Sequence, residues 1–102
     1  PYGNDKWTRD VEEKLSQIFE TKLVTIPVST GTASNALALS AITPPYGAIY
    51  CHSSSHAYKD ECGAPEFYSG GAKMIPLEGK NGKILELDLK EKLKNSIIDL
   101  RI

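Results

Sequence analysis

With 102 residues, 40% of them hydrophobic and 8% aromatic, the chain has the length and composition of one small globular domain and not of a disordered segment. Its 12 Lys plus Arg nearly balance 13 Asp plus Glu, for a formal charge of -1, and no basic run is interleaved with aromatics, so no nucleic-acid partner is indicated. The longest apolar stretch, around Ala36 to Ile42, falls far short of the roughly 20 residues that a bilayer demands, and no signal peptide is visible. The expectation is a cytoplasmic protein without a membrane partner, with Cys51 and Cys62 as free thiols.

Val11, Leu15, Ile18 and Phe19 fall on one stripe of a helix over roughly Thr8 to Phe19, capped by Asp5 or Thr8. Leu23 to Val28 is a short β-branched run whose Pro27 suits a strand end or edge. It leads through Ser29-Thr30-Gly31-Thr32 into a helix from Thr32 to Ile42, apolar nearly all round and so expected to be buried on most faces. Thr43-Pro44-Pro45-Tyr46-Gly47 ends that helix.

Ala48 to Cys51 reads as a second strand, followed by the polar loop His52 to His56 and a short helix or turn through Asp60 and Glu61, which Gly63-Ala64-Pro65 breaks. Lys73 to Leu77 reads as a third strand, and Gly79 to Gly82 as a turn. A last helix starts near Asp88, with Glu91 completing a capping box and Leu89, Leu93 and Ile97 as its apolar face. Strands alternating with helices predict an α/β fold with a mainly parallel sheet and crossover helices. Pro1 at the start, an apolar run to Ile102 at the end, and too few strands for a parallel sheet covered on both faces lead us to expect a piece of a larger protein.

The turn at Thr30, Gly31 and Thr32 places unpaired backbone N–H groups and the positive end of a helix dipole at one point, with no side chain on Gly31 to block an approaching anion. It is neither a P-loop nor a dinucleotide fingerprint. On the motif alone, an anion site and a plain helix cap stand as alternatives. His56, just beyond a strand, falls near the edge where ligands bind parallel sheets, and a histidine there stacks on a flat cofactor or moves a proton; a helix cap or surface residue is the other reading. His52 and His56 are four apart, but Ser53 to Ser55 disfavour a helix presenting both rings, so no metal site is expected. Cys62 has no base that the sequence pairs with it, and Lys73, checked as an imine-forming lysine, reads as a solvent-facing charge.

Taken together, Tyr2-Gly3-Asn4-Asp5, Ser29 through Leu39, His56, and Asp60-Glu61-Cys62-Gly63-Ala64-Pro65-Glu66-Phe67 resemble the amino-terminal part of low-specificity L-threonine aldolases in order and spacing. The resemblance implies that residues 1–102 are part of the large domain of a fold-type-I pyridoxal 5'-phosphate enzyme, truncated at both ends. It implies retro-aldol cleavage of L-threonine or L-allo-threonine to glycine and acetaldehyde, with Thr30, Gly31 and Thr32 holding the cofactor phosphate. By the same resemblance His56 stacks on the pyridine ring and serves the substrate hydroxyl, Glu61 matches an acidic family position, and Tyr2 reaches a neighbouring subunit of a homo-oligomer. Another fold-type-I lyase and a non-catalytic phosphate-binding fragment are the alternatives. No lysine sits in the family's Schiff-base context and no Asp-Gly-Ala-Arg stretch is present, so these residues alone are expected to be inactive.

Overall fold

The computed structural model describes residues 3–99. In chain order they form helices α1 (Lys6–Ile18) and α2 (Gly31–Ile42), strand β1 (Ala48–His52), the short helices α3 (His56–Lys59) and α4 (Ala64–Tyr68), strand β2 (Lys73–Leu77), a 3-10 turn at Lys80–Gly82, and helix α5 (Glu86–Asp99).

Helix α1 begins at Lys6 because Asp5 is its cap. One Asp5 carboxylate oxygen accepts the Thr8 N–H at 3.0 Å and the other accepts the Thr8 hydroxyl at 2.8 Å. The Thr8 N–H, and then its hydroxyl, hold that carboxyl below the usual carboxylate range. The apolar stripe along α1 is present but unburied, and Trp7 on it is 77% exposed.

The expected strand at Leu23 to Val28 does not form. The Thr25 N–H goes to the Glu12 carboxylate at 3.0 Å and the Leu23 N–H to the Ser16 hydroxyl at 3.4 Å, while Pro27 has no N–H to give. Two of the segment's donors are thus spent on side chains of α1. Among the described residues the sheet is therefore two-stranded, β1 beside β2, and parallel. Its register runs from Ala48 opposite Lys73 to His52 opposite Leu77, and the Ser53 N–H extends it to the Leu77 carbonyl at 2.8 Å. Residues 53–72 make the crossover that parallel neighbours require.

The short helix α3 has ended at Lys59 before Gly63-Ala64-Pro65, which besides marking the break starts a second helix. Gly63 caps α4 in the left-handed region (φ 75°), and Pro65 lies in the first turn, where its missing N–H costs no bond. Pro65 is fully buried. Ser69, also buried, donates to the Pro65 carbonyl at 2.7 Å and accepts the Ala72 N–H at 3.2 Å, which closes the turn from α4 into β2. Ala36 on α2, Pro65, Ala72 and Leu77 are the core around it.

Helix α2 packs on α4 and touches α3. Only Ala36 of α2 is buried, and Ile42 is 80% exposed, so the expectation of burial on most faces is corrected: one side is covered and nothing among the described residues covers the rest. Helix α5 begins at Glu86, two residues before the predicted start, with the Leu89 N–H already bonded to the Leu85 carbonyl at 3.2 Å. Asp88 is thus inside the first turn, where it complements the helix dipole, and is not the capping residue of a box with Glu91. Leu89 is half-buried and Leu93 exposed; the Ile97 side chain lies outside what is described. The Tyr50 hydroxyl meets the Ser96 hydroxyl at 2.6 Å and ties α5 to β1. The result is elongated, 51 × 28 × 26 Å, with a radius of gyration of 17.1 Å against about 13 Å for a compact domain of 100 residues. No described helix is long and apolar enough to cross a membrane.

Replacing Ser69 by Ala leaves the buried Ala72 N–H without its acceptor. The expected outcome in urea denaturation is a loss of about 1–3 kcal/mol of unfolding free energy.

Candidate functional site

Thr30 is the cap of α2: its hydroxyl oxygen accepts the Ala33 N–H at 3.0 Å. The Ser34 N–H bonds to the Thr30 carbonyl at 3.1 Å, so the Gly31 and Thr32 N–H groups precede the helical ladder and have no intrahelical acceptor. A Cβ built on Gly31 meets nothing within 4 Å, which leaves an open approach to these amides. Capping also leaves the Thr30 hydroxyl proton free, because the oxygen accepts from Ala33 and a hydroxyl carries its own donor. Cap and anion cradle are therefore compatible uses of one turn. Thr30 and Thr32 also line a hollow of about 250 Å³ with Ala33, Ala36, Leu37, Ala64 and Tyr68, where α2 meets α4.

His56 opens α3. Its ring Nδ1 lies 2.9 Å from Glu61 Oε1, and the Asn35 side-chain amide donates to the same oxygen at 2.6 Å. The His56 side chain is 63% exposed, while the Glu61 side chain has no accessible surface at all. Glu61 is thus a carboxylate covered by a thin layer of polar neighbours. Removal from water pushes its pKa up, but the Asn35 and His56 hydrogen bonds and the His56 charge outweigh that, and the carboxyl is held below its ordinary value. Glu61 Oε2 is buried and has no hydrogen-bond partner.

The predicted route to this site was a common sheet edge, with the Thr30 turn and His56 each following a strand. Because Leu23 to Val28 is not a strand, that edge is absent on the Thr30 side among the described residues. The connection runs instead through side chains, from Asn35 on α2 to Glu61 and on to His56. Asn35 is the residue that sequence reasoning left without a role. An asparagine inside a helix, where this residue type is disfavoured, was the available signal.

His52 is separate from this group. Its Nδ1 accepts the Ser54 N–H at 3.0 Å and its Nε2 donates to the Gly79 carbonyl at 3.0 Å, so both ring nitrogens are used in pinning the end of β1 to the segment after β2. Among the described residues no group of three His, Cys, Asp or Glu side chains is arranged to hold a metal ion. Lys73 is exposed at the start of β2, as expected of a solvent-facing charge, and Cys51 and Cys62 are free thiols. Tyr2 lies outside the described residues.

The open glycine turn at the start of α2, and the histidine bonded to a buried carboxylate that α2 also holds, make up the candidate site. Residues 1–99 match the family model for beta-eliminating lyases, and the chain belongs to that family. It is 37% identical over 90 residues to a low specificity L-threonine aldolase from Pseudomonas sp. (strain NCIMB 10558), and 37% identical over the same length to the low specificity L-threonine aldolase of Pseudomonas aeruginosa. In both cases the alignment takes in 88% of this chain and 26% of the relative, so the chain spans about a quarter of the length of the curated relatives it matches.

Because the Glu61 pKa is depressed on folding, the stability it lends is present above the ordinary value of 4.5 and is lost as pH falls through the lower folded value. Urea midpoints measured from neutral pH down to about 3 are expected to fall in the wild type, with a visibly shallower dependence in Glu61→Gln.

Proposed function

We propose that this chain supplies the phosphate cradle and the proton-handling histidine of a pyridoxal 5'-phosphate-dependent lyase that cleaves L-threonine or L-allo-threonine to glycine and acetaldehyde. The observation that carries the reading is the capped start of α2, where Gly31 leaves two helix-start amides open to an anion between two threonine hydroxyls. Thr30, Gly31 and Thr32 fit a phosphate monoester, and His56, joined to α2 through Glu61 and Asn35, fits a place beside the ring that such a phosphate carries. When bound, the cofactor supplies an electron-accepting ring for the bond-breaking step.

What the chain's own residues do follows from their contacts. The cradle binds and orients the phosphate. A Glu61 carboxylate can only accept, so it holds the proton of His56 on Nδ1 and leaves Nε2 as the basic nitrogen of the neutral ring. That nitrogen takes the proton from the substrate β-hydroxyl as the Cα–Cβ bond breaks and acetaldehyde leaves. The reading includes a small amino acid as substrate and a homo-oligomer as the assembly. The family's description favours one alternative, elimination at the β-carbon, which shares the cradle and releases ammonia and a keto acid instead.

Gly31→Ala tests the cradle, since the new methyl group clashes with nothing in the chain and alanine is the better helix former. The expected outcome is an unchanged or slightly higher melting temperature with affinity for pyridoxal 5'-phosphate weakened at least about tenfold, or 1.4 kcal/mol. The reaction is tested on the native protein with L-threonine, by assaying glycine, acetaldehyde, ammonia and keto acid together. Equal amounts of glycine and acetaldehyde are expected, with turnover lowered about 10²–10⁴-fold in His56→Phe, which keeps a stacking ring but moves no proton. Ammonia and keto acid as the sole products sink the aldolase reading.

A further inference from the structure

Asn35 lies four residues after Gly31, one turn further along α2 and about 6 Å up its axis. Its amide donates to Glu61 Oε1 at 2.6 Å, and that same oxygen faces His56 Nδ1 at 2.9 Å. The other oxygen, Oε2, is buried with no partner. The two oxygens are equivalent, so what has to be fixed is the plane of the carboxylate: a partial turn about the bond to the carboxyl group carries the bonded oxygen away from both Asn35 and His56 and leaves two buried oxygens unsatisfied. What resists the rotation is the donor from α2. The amide orientation is itself settled by chemistry, since a carboxylate accepts only and the NH₂ end of Asn35 must face it.

We propose that Asn35 is a positioning residue for His56, acting through Glu61. By anchoring Oε1, it holds the histidine in the tautomer with its proton on Nδ1 and sets the ring at a fixed place relative to the helix that carries the cradle. The proposal rests on the reading of His56 as the group that takes the hydroxyl proton, because only then does the freed Nε2 matter. Asn35 touches neither cradle nor ring directly in the contacts described, so its effect is on geometry and proton placement and not on binding.

The experiment uses the native protein with ¹⁵N-labelled histidine, free of cofactor and substrate, at a pH where the rings are neutral. The His56 signals are assigned by their loss in His56→Phe. Asn35→Ala removes the donor while favouring the helix; Asn35→Leu removes the donor but keeps cover over the carboxylate. His52, held by Ser54 and Gly79 and not by this group, reports on the fold in the same spectrum.

Both variants are expected to shift His56 from the Nδ1–H form to a mixture of tautomers while His52 stays unchanged. In the loaded protein, kcat is expected to fall about tenfold with KM and cofactor affinity changed less than about twofold, the pattern of a misplaced proton acceptor. An unchanged His56 tautomer in both variants overturns the proposal. So does recovery of the wild-type spectrum in Asn35→Leu, which makes cover the cause, or a parallel change in His52, which makes the role structural. The tautomer is read without substrate, so these failures are separate from failure of the lyase reading, which the product assay decides.

Discussion

The burial of one carboxylate constrains most of what surrounds it. Glu61 lies two residues after the short helix α3 and three before α4, and its side chain has no contact with solvent. An ionised carboxylate taken out of water needs donors, and the nearby backbone does not provide them. They come from Asn35 on α2, 26 residues before Glu61 in the chain, and from His56 on α3, which brings two helices to one oxygen. The apolar packing of α2 on α4 around Ala36 and Pro65 consists of a few small side chains, and the hydrogen bonds at Glu61 add directional contacts to it.

The same contrast separates what was legible in the sequence from what was not. Strand β2 coincides with its predicted span because its signal is local: an apolar run bounded by Gly70-Gly71 on one side and Glu78-Gly79 on the other. The start of α2 was legible to within one residue, Thr32 in the sequence reading and Gly31 in the structure, for the same reason, a cap being a contact between residues three apart. Leu23 to Val28 carries an equally good local signal, yet a strand exists only by pairing, and the side chains of Glu12 and Ser16 hold two of its donors. At α5 the disagreement is over two residues. Both Glu86 and Asp88 favour a helix start, and the backbone bond from Leu89 to Leu85 decides between them.

For the candidate site, the sequence supplied the end points and missed the link. Thr30, Gly31, Thr32 and His56 stand out as residue types at particular spacings, whereas Asn35 offers only its disfavoured place inside a helix until Glu61 is placed against it. Glu61 was singled out only by resemblance. Burial explains its part: an acidic residue between two short helices reads from sequence as a surface charge, and only the packed structure shows that it has no solvent contact.

The helix-cap reading of Thr30 and its anion reading began as rivals, and the geometry removes the rivalry. A threonine that accepts the Ala33 N–H has its side chain held in one rotamer, which fixes the position of the oxygen whose proton it still has to donate. The cap thus organises a donor beside the Gly31 and Thr32 amides before any anion arrives, at no cost in ordering when one binds. Helix α2 then acts as a ruler. Its first turn carries the groups proposed to face an anion, its second carries the amide that holds Glu61, and the spacing between them is that of a hydrogen-bonded helix instead of a loop. A ligand with a phosphate at one end and a reacting centre at the other requires a fixed separation between its binding group and its proton acceptor, and one helical turn with a buried carboxylate at its side is a stiff way to set it.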